Sequence, residues 1–120
     1  MAVVKPFRGL RPPADMASEI ACLPYDVMNS EEAAAMARGR EKSLLHITKA
    51  EIDLPEGTDV HSEEVYQKAF ENFKAWQERG WLLEDRQEHF YIYAQTMKGR
   101  TQYGIVGAAA VNDYLEGVIK

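Results

Sequence analysis

This chain is organised around the stretch Ala21-Cys22-Leu23-Pro24-Tyr25-Asp26-Val27-Met28-Asn29-Ser30-Glu31-Glu32. Proline fixes its own φ and biases the preceding residue towards extended backbone, so the pattern predicts a short strand, Ile20–Leu23, that ends before Pro24. Asn29 stands three residues before Glu32, which is the spacing of a helix capping box. The stretch therefore predicts a strand, a rigid turn and a helix start in succession.

Tyr25 and Asp26 occupy the predicted junction between this strand and the following helix. Proteins that combine strands and helices often place binding groups at such junctions, so the pair is the candidate catalytic site. The same pattern is typical of a structural turn in which the tyrosine is buried and the aspartate is hydrogen-bonded. Both interpretations stay open from the residues alone.

Length and composition predict one ordinary domain. The chain has 120 residues, of which 46% are hydrophobic and 28% are charged, so we expect a single domain over residues 1–120. It contains no apolar run long enough to cross a bilayer and no signal-peptide pattern, which predicts a cytoplasmic protein without a membrane partner. The single cysteine, Cys22, excludes an internal disulfide, and its apolar context predicts a buried, unreactive thiol.

The charge pattern limits the kinds of ligand to expect. A net charge of −5 argues against nucleic-acid binding through this segment, because phosphate backbones require a basic surface. Arg8 and Arg11 lie in a loop rich in glycine and proline, where each is either a phosphate- or carboxylate-binding residue or an ordinary surface arginine. The three histidines, His46, His61 and His89, lack metal-ligand spacing, so no metal site is predicted.

The remaining elements follow from hydrophobic periodicity. An alanine-rich helix is predicted over residues 31–38 with a stop at Gly39, a strand over residues 43–48, and a loop from residue 49 to residue 59. A helix over residues 62–79 carries apolar side chains at helical spacing, and we expect them to be buried against a sheet: Val65, Tyr66, Ala69, Phe70, Phe73 and Trp76. A β-hairpin follows, with strands 90–96 and 102–111.

These elements predict an α+β fold: a mixed sheet with a C-terminal hairpin, packed by one long aromatic-striped helix and one short alanine-rich helix. The returning hairpin strand is thin from Gly104 to Ala110, which indicates that another segment packs closely over it. An apolar pair, Val118 and Ile119, stands just before the last residue, so we expect exposed apolar surface and self-association.

Several motifs occur in an order that resembles the uncharacterised family called domain of unknown function 1015. The matching motifs are Pro6-Phe7-Arg8, Leu10-Arg11-Pro12, Leu23-Pro24-Tyr25-Asp26-Val27, Trp76 with Gly80-Trp81-Leu82, Tyr91-Ile92-Tyr93-Ala94-Gln95, and Gly107 with Asp113-Tyr114 and Gly117-Val118-Ile119. Family members carry two further motifs, one containing His-Glu and one reading Asp-Gly-His-His-Arg, which look like those of ParB-like proteins and free-serine kinases. This chain has neither, so the resemblance implies the N-terminal portion of a longer protein.

The resemblance implies a nucleotide-dependent kinase for a small hydroxylated metabolite such as serine, with ATP or ADP and Mg in the full-length protein. Tyr25 and Asp26 would then line one wall of the active cleft, and Arg8 or Arg11 would bind phosphate. The 120-residue chain alone would be inactive. The alternative is a non-catalytic binding or interaction module with an unknown partner, in which the Pro-Tyr-Asp segment is a structural turn.

Overall fold

The computed structural model describes residues 1–119 and confirms the α+β fold class. In chain order its regular elements are β1 (Val4–Lys5), β2 (Leu10–Arg11), α1 (Ala17–Ile20), α2 (Ser30–Ala37), α3 (Leu45–Thr48), α4 (Glu63–Glu78), β3 (Leu83–Glu84), β4 (Tyr91–Met97), β5 (Arg100–Val106), β6 (Ala108–Ala109) and α5 (Val111–Leu115). No sheet of the described residues has more than two strands, so small pairs replace the one mixed sheet that the sequence predicts. Over these residues, no helix is both long and apolar enough for a bilayer crossing.

The chain divides into two compact units. Unit 1 comprises Met1–Leu10 together with the segment from Glu84 onward, and unit 2 comprises Arg11–Leu83. Every buried apolar side chain of the described residues belongs to unit 2. The two units therefore differ in how completely each one packs its own apolar surface.

Helix α2 of unit 2 begins with the capping box that the sequence predicts. The Glu32 amide donates to Asn29 Oδ1 over 2.8 Å, and the Asn29 amide donates to Glu32 Oε1 over 3.2 Å. Both bonds satisfy amide groups that a helix N-terminus otherwise leaves without partners. The small side chains of Ala33 and Ala37 are buried, so the helix lies close to its neighbours. Gly39 has φ 72° and ends the helix as predicted.

The predicted strand over Ile20–Leu23 is wrong. Residues 17–20 form the helical turn α1, which starts where the Met16 amide donates to the Pro13 carbonyl and closes where the Ala21 amide donates to the Ala17 carbonyl. The turn brings Ile20 into an apolar cluster with Trp76 and Leu82. Because the turn already buries the side chain of Ile20, the apolar run needs no partner strand.

The predicted strand over residues 43–48 is also wrong, because the segment forms the short helix α3. A short apolar run is compatible with either a buried strand or a buried helix. Here Leu45 lies in a cluster with Met28, Ala33 and Ala37, whereas Leu44 and Ile47 pack against the cluster of Ile20, Trp76 and Leu82. Helical geometry lets neighbouring apolar residues reach both clusters.

Helix α4 confirms the prediction of a long helix, and Gly80, with φ 76°, follows its end. Val65 and Trp76 are buried and Phe73 is half-buried, but Phe70 is 60% exposed and Tyr66 is exposed as well. The apolar stripe is therefore narrower than predicted. The packing partner also differs, because α4 packs on α3 and on the 3₁₀ turn Ala50–Asp53 and not on a sheet.

Unit 1 contains the predicted hairpin, formed by β4 and β5 in antiparallel register. Lys98 and Gly99 both have positive φ, 51° and 78°, which is the geometry of a tight two-residue hairpin turn. The returning strand ends at Val106, earlier than predicted, and β6 then pairs with β1. The predicted close approach is confirmed at Gly107, where an added Cβ would lie 2.6 Å from Val4 Cγ1, but Gly104 is open.

Trp76→Ala should lower the free energy of unfolding by about 3–5 kcal/mol, because it removes a large buried side chain from the cluster of unit 2. Phe70→Ala, on the same helix but exposed, should cost less than about 1 kcal/mol. Urea unfolding of both variants measures the difference. Equal losses would contradict the assignment of Trp76 and not Phe70 to the core.

Candidate functional site

The Pro24–Val27 turn holds the predicted pair in a defined backbone geometry. Pro24 has φ −57° and ψ 144°, and Tyr25–Val27 form a single 3₁₀ turn in which the Val27 amide donates to the Pro24 carbonyl over 3.3 Å. Met28 follows in extended conformation and is buried in the apolar cluster around Leu45. The capping box of α2 begins at the next residue. Both ends of the turn are therefore fixed by packing or hydrogen bonds.

Tyr25 and Asp26 project from this turn into solvent. Tyr25 is 60% exposed and Asp26 is exposed. Within residues 1–119, neither side chain has a hydrogen-bond or ion-pair partner in the structure. A buried tyrosine and a hydrogen-bonded aspartate were one interpretation of this turn, and the described residues do not have that arrangement. The pair is instead rigidly presented and uncommitted, which is compatible with a ligand-binding role.

The two candidate arginines differ in their surroundings. Arg8 belongs to unit 1, where its Nε donates to the Asp85 carbonyl over 2.8 Å and lies 3.3 Å from Glu84 Oε1. Both side chains of the Arg8–Glu84 pair are about half exposed, so the ion pair adds little stability. Arg11 is an exposed residue of β2. The structure thus brings Tyr25 and Asp26 together on one turn and gives Arg8 a partner in its own unit.

A groove in unit 2, which we call the α2 groove, starts four residues after Asp26. Its volume is about 440 Å³. One wall is a face of α2 and the residue after it, and the other is the segment from residue 51 to residue 58; the lining residues are Ser30, Glu31, Ala34, Arg38, Glu51, Ile52, Leu54, Pro55, Glu56, Gly57 and Thr58. Pockets for small molecules have volumes of roughly 300–1,000 Å³, so the groove has a suitable size.

The second wall is an ordered turn, whereas the sequence left a surface excursion or a mobile flap open. The Thr58 hydroxyl and the Thr58 amide both donate to the Pro55 carbonyl, over 2.6 Å and 3.2 Å. Gly57 has φ 89°, which an L side chain rarely adopts. The turn is therefore closed by its own hydrogen bonds and gives the groove a fixed edge.

The groove carries charges of both signs. The Glu51 side chain is only 8% exposed; it accepts from Ser30 Oγ over 2.8 Å and from Lys49 Nζ over 3.4 Å, so its charge is already compensated. Glu31 and Glu56 are exposed carboxylates at the rim, and Arg38 is an exposed cation. Glu31 and Arg38 are separated by about two helical turns, roughly 10 Å along the axis. The groove can therefore meet an amino group and a carboxylate at different points.

A histidine network that the sequence did not reveal lies in the same unit. His46 Nδ1 is 2.9 Å from Asp53 Oδ1, and His46 Nε2 is 3.1 Å from the Arg40 carbonyl. Asn72 Nδ2 donates to the His46 carbonyl over 2.7 Å and to Asp53 Oδ2 over 3.0 Å. Because both ring nitrogens face acceptors, neither is free to take a proton from a substrate. The network joins α3, the Ala50–Asp53 turn and α4, which is a structural role.

Sequence reasoning missed this network and the groove for identifiable reasons. Residues 43–48 were assigned to a strand, in which His46 cannot turn towards an acceptor seven residues later. The spacing of Ser30, Ala34 and Arg38, at i, i+4 and i+8, already places them on one helix face. What the sequence lacks is a signal that the 51–58 segment returns to this face.

Cys22 is half-buried against the cluster that contains Leu45. Burial raises the pKa of the Cys22 thiol; a backbone hydrogen bond involving Leu45 and the positive charge of Arg40 lower it to a smaller extent. The thiolate is therefore scarce at neutral pH. Among residues 1–119 there is also no group of three or more His, Cys, Asp or Glu side chains arranged to hold a metal ion.

Together these features define an α+β protein with a groove sized for a small polar molecule. The family model for proteins of unknown function (DUF1015) matches residues 4–120, and the chain belongs to this family. No curated protein matches the chain, and no solved structure matches it either. The family membership confirms the resemblance in the sequence motifs and assigns no activity.

The raised pKa of Cys22 predicts slow alkylation by iodoacetamide near neutral pH, since the thiolate is the reacting form. A suitable control moves the thiol to a solvent-exposed position, using Ser18→Cys in a Cys22→Ser background. We expect Cys22 to react at least about tenfold more slowly than the control, and to react equally fast once both chains are unfolded in urea. Equal rates in the folded chains would show that Cys22 is accessible and ionised.

Proposed function

We propose that this chain binds a small hydroxylated metabolite such as serine and forms the N-terminal part of a nucleotide-dependent kinase that phosphorylates it. The observation that carries metabolite binding is the α2 groove, with its volume of about 440 Å³ and its mixed charges. A metabolite with an ammonium and a carboxylate group offers an ion-pair partner to Glu31 or Glu56 and to Arg38. The kinase reaction is supported by the resemblance to free-serine kinases alone.

In this proposal the Pro24–Val27 turn supplies the chemistry beside the groove. Asp26 accepts the proton of the metabolite hydroxyl while the hydroxyl oxygen attacks the terminal phosphoryl group of ATP and the bond to ADP breaks. Tyr25 lines the same wall. What supports these roles is that both side chains are exposed, lack partners within residues 1–119 and stand on a fixed turn.

Arg8 or Arg11 binds phosphate in this proposal. The Arg8–Glu84 ion pair is solvent-exposed, and such pairs contribute only about 0–1 kcal/mol, so a phosphate group can replace Glu84 at small cost. Residues 1–119 offer no cluster of acidic side chains for Mg, and no step is assigned to the metal. A cytoplasmic location, where ATP is available, completes the proposal.

Arg38→Gln should raise the KM for serine at least tenfold in the full-length protein, because it removes the cation of the α2 groove. Arg86→Gln, an exposed arginine of unit 1, is the matched control and should leave KM unchanged. Steady-state kinetics at saturating ATP measure both variants. An unchanged KM in Arg38→Gln would remove the groove from the proposal.

Asp26→Asn should lower the kcat of serine phosphorylation at least tenfold, about 1.4 kcal/mol of transition-state stabilisation, with little change in Tm because the side chain is exposed. Asp15→Asn, another exposed aspartate of unit 2, serves as the control and should keep full activity. A variant that melts earlier while its folded fraction keeps full activity would identify the turn as structural.

A second candidate function, a binding module without catalysis, is favoured by the exposed apolar side chains of unit 1. Ile92, Tyr103 and Ile105 of the hairpin are each at least 75% exposed. Soluble monomers rarely expose large contiguous apolar patches, so such a surface indicates a binding partner. This function does not require the α2 groove.

A further inference from the structure

We propose that the hairpin of unit 1 binds a second copy of this chain through one of its two faces. This inference names the partner for the binding-module function and rests on that second candidate. The surface, which we call the hairpin face, consists of Ile92, Ala94, Thr96, Thr101, Tyr103 and Ile105.

The strand register places these six side chains on one side of the hairpin. Ile92 pairs with Ile105, Ala94 with Tyr103, and Thr96 with Thr101. Residues directly opposite each other on antiparallel strands share a face, and alternate positions along each strand return to it. The 2.7 Å contact between the hydroxyls of Thr96 and Thr101 is consistent with this arrangement. Gln95 and Gln102 lie on the opposite face.

Unit 1 does not cover this face with side chains of its own. Ile92 is 77% exposed and Ile105 is 81% exposed. Among residues 1–119, unit 1 contains no buried apolar side chain. A two-stranded hairpin without packing on an apolar face is marginally stable in water, so the folded hairpin gains stability when this face is covered.

The charge distribution favours a second copy as the partner. Two acidic chains, each with a net charge of −5, repel one another, so they can associate only through a surface that avoids negative charge. The chain has no acidic residue from Phe90 to Asn112, and the hairpin face has no charged residue at all. In a two-fold interface each patch meets its own copy, so a charged patch would oppose like charges. The hairpin face carries no such penalty.

The size of the face predicts a weak dimer. Buried aromatic residues contribute about 150–250 Å² each, so Tyr103 with the two isoleucines provides roughly 400 Å² per copy. A standard stable interface buries about 800 Å² per partner. Two hairpin faces stacked about 10 Å apart, as in packed sheets, would therefore form a dimer at concentrations of tens to hundreds of micromolar.

Sedimentation velocity on the 120-residue chain, from about 5 to about 500 μM, tests the proposal. The wild type should shift from monomer to dimer over this range. Ile105→Glu should weaken association at least tenfold, because it places a charge on the face and opposite its own copy. Gln102→Glu adds the same charge to the opposite face of the same strand and should dimerise like the wild type. Ile105→Thr keeps a β-branched residue and replaces Ile105→Glu if the latter fails to fold.

Two results would overturn the proposal. A wild type that is monomeric at every concentration excludes self-association, and unchanged dimerisation of the Ile105 variants excludes this face. A fluorescent dye that binds apolar surfaces separates the two levels of the hypothesis. If the monomeric wild type binds the dye and Ile105→Thr does not, the hairpin still serves as a binding surface for another partner. If neither binds it, the binding-module function fails as well.

Discussion

The packing of the four-residue helix α3 is the interaction on which the rest of unit 2 depends. Leu45 is 1% exposed and closes the cluster under helix α2, whereas Leu44 and Ile47 pack on the cluster under helix α4. Successive residues on a helix point about 100° apart, so one helical turn can fill two clusters that an extended strand would reach only in alternation. Both long helices of unit 2 are thus positioned against the same short segment.

The same helix also sets the shape of the α2 groove. His46, on α3, joins Asp53 and the Arg40 carbonyl, and Asn72 on α4 bonds to the backbone of His46 and to Asp53. These bonds hold the Ala50–Asp53 turn, which carries the buried Glu51 into the groove wall. A groove built in this way is preorganised, because its second wall is fixed before any ligand arrives. Its geometry derives from the packing of α3 and not from the loop sequence itself.

The sequence predicts the elements whose signals are local. The capping box at Asn29 and Glu32, the stop at Gly80 and the hairpin turn at Lys98–Gly99 each depend on neighbours within a few residues, and the structure contains all three. Residues 43–48 depend instead on contacts with Ile20 and with α4, distant in sequence, so composition alone suggests a strand. The α2 groove has the same limit, since its walls are about twenty residues apart. Only the rigidity of the Pro24–Val27 turn was accessible beforehand.

The two units place different physical demands on a ligand. In unit 2 the apolar side chains are consumed by the two internal clusters, which leaves fixed polar groups around a concave groove, and such groups select a small ligand by charge and hydrogen bonding. In unit 1 the apolar side chains point outward from a two-stranded hairpin, and only a macromolecular surface can cover them. Burial on the hairpin depends on apolar area and is insensitive to the charge of the groove. A metabolite bound in unit 2 and a partner bound on unit 1 would therefore obey different energetic rules, and neither requires the other.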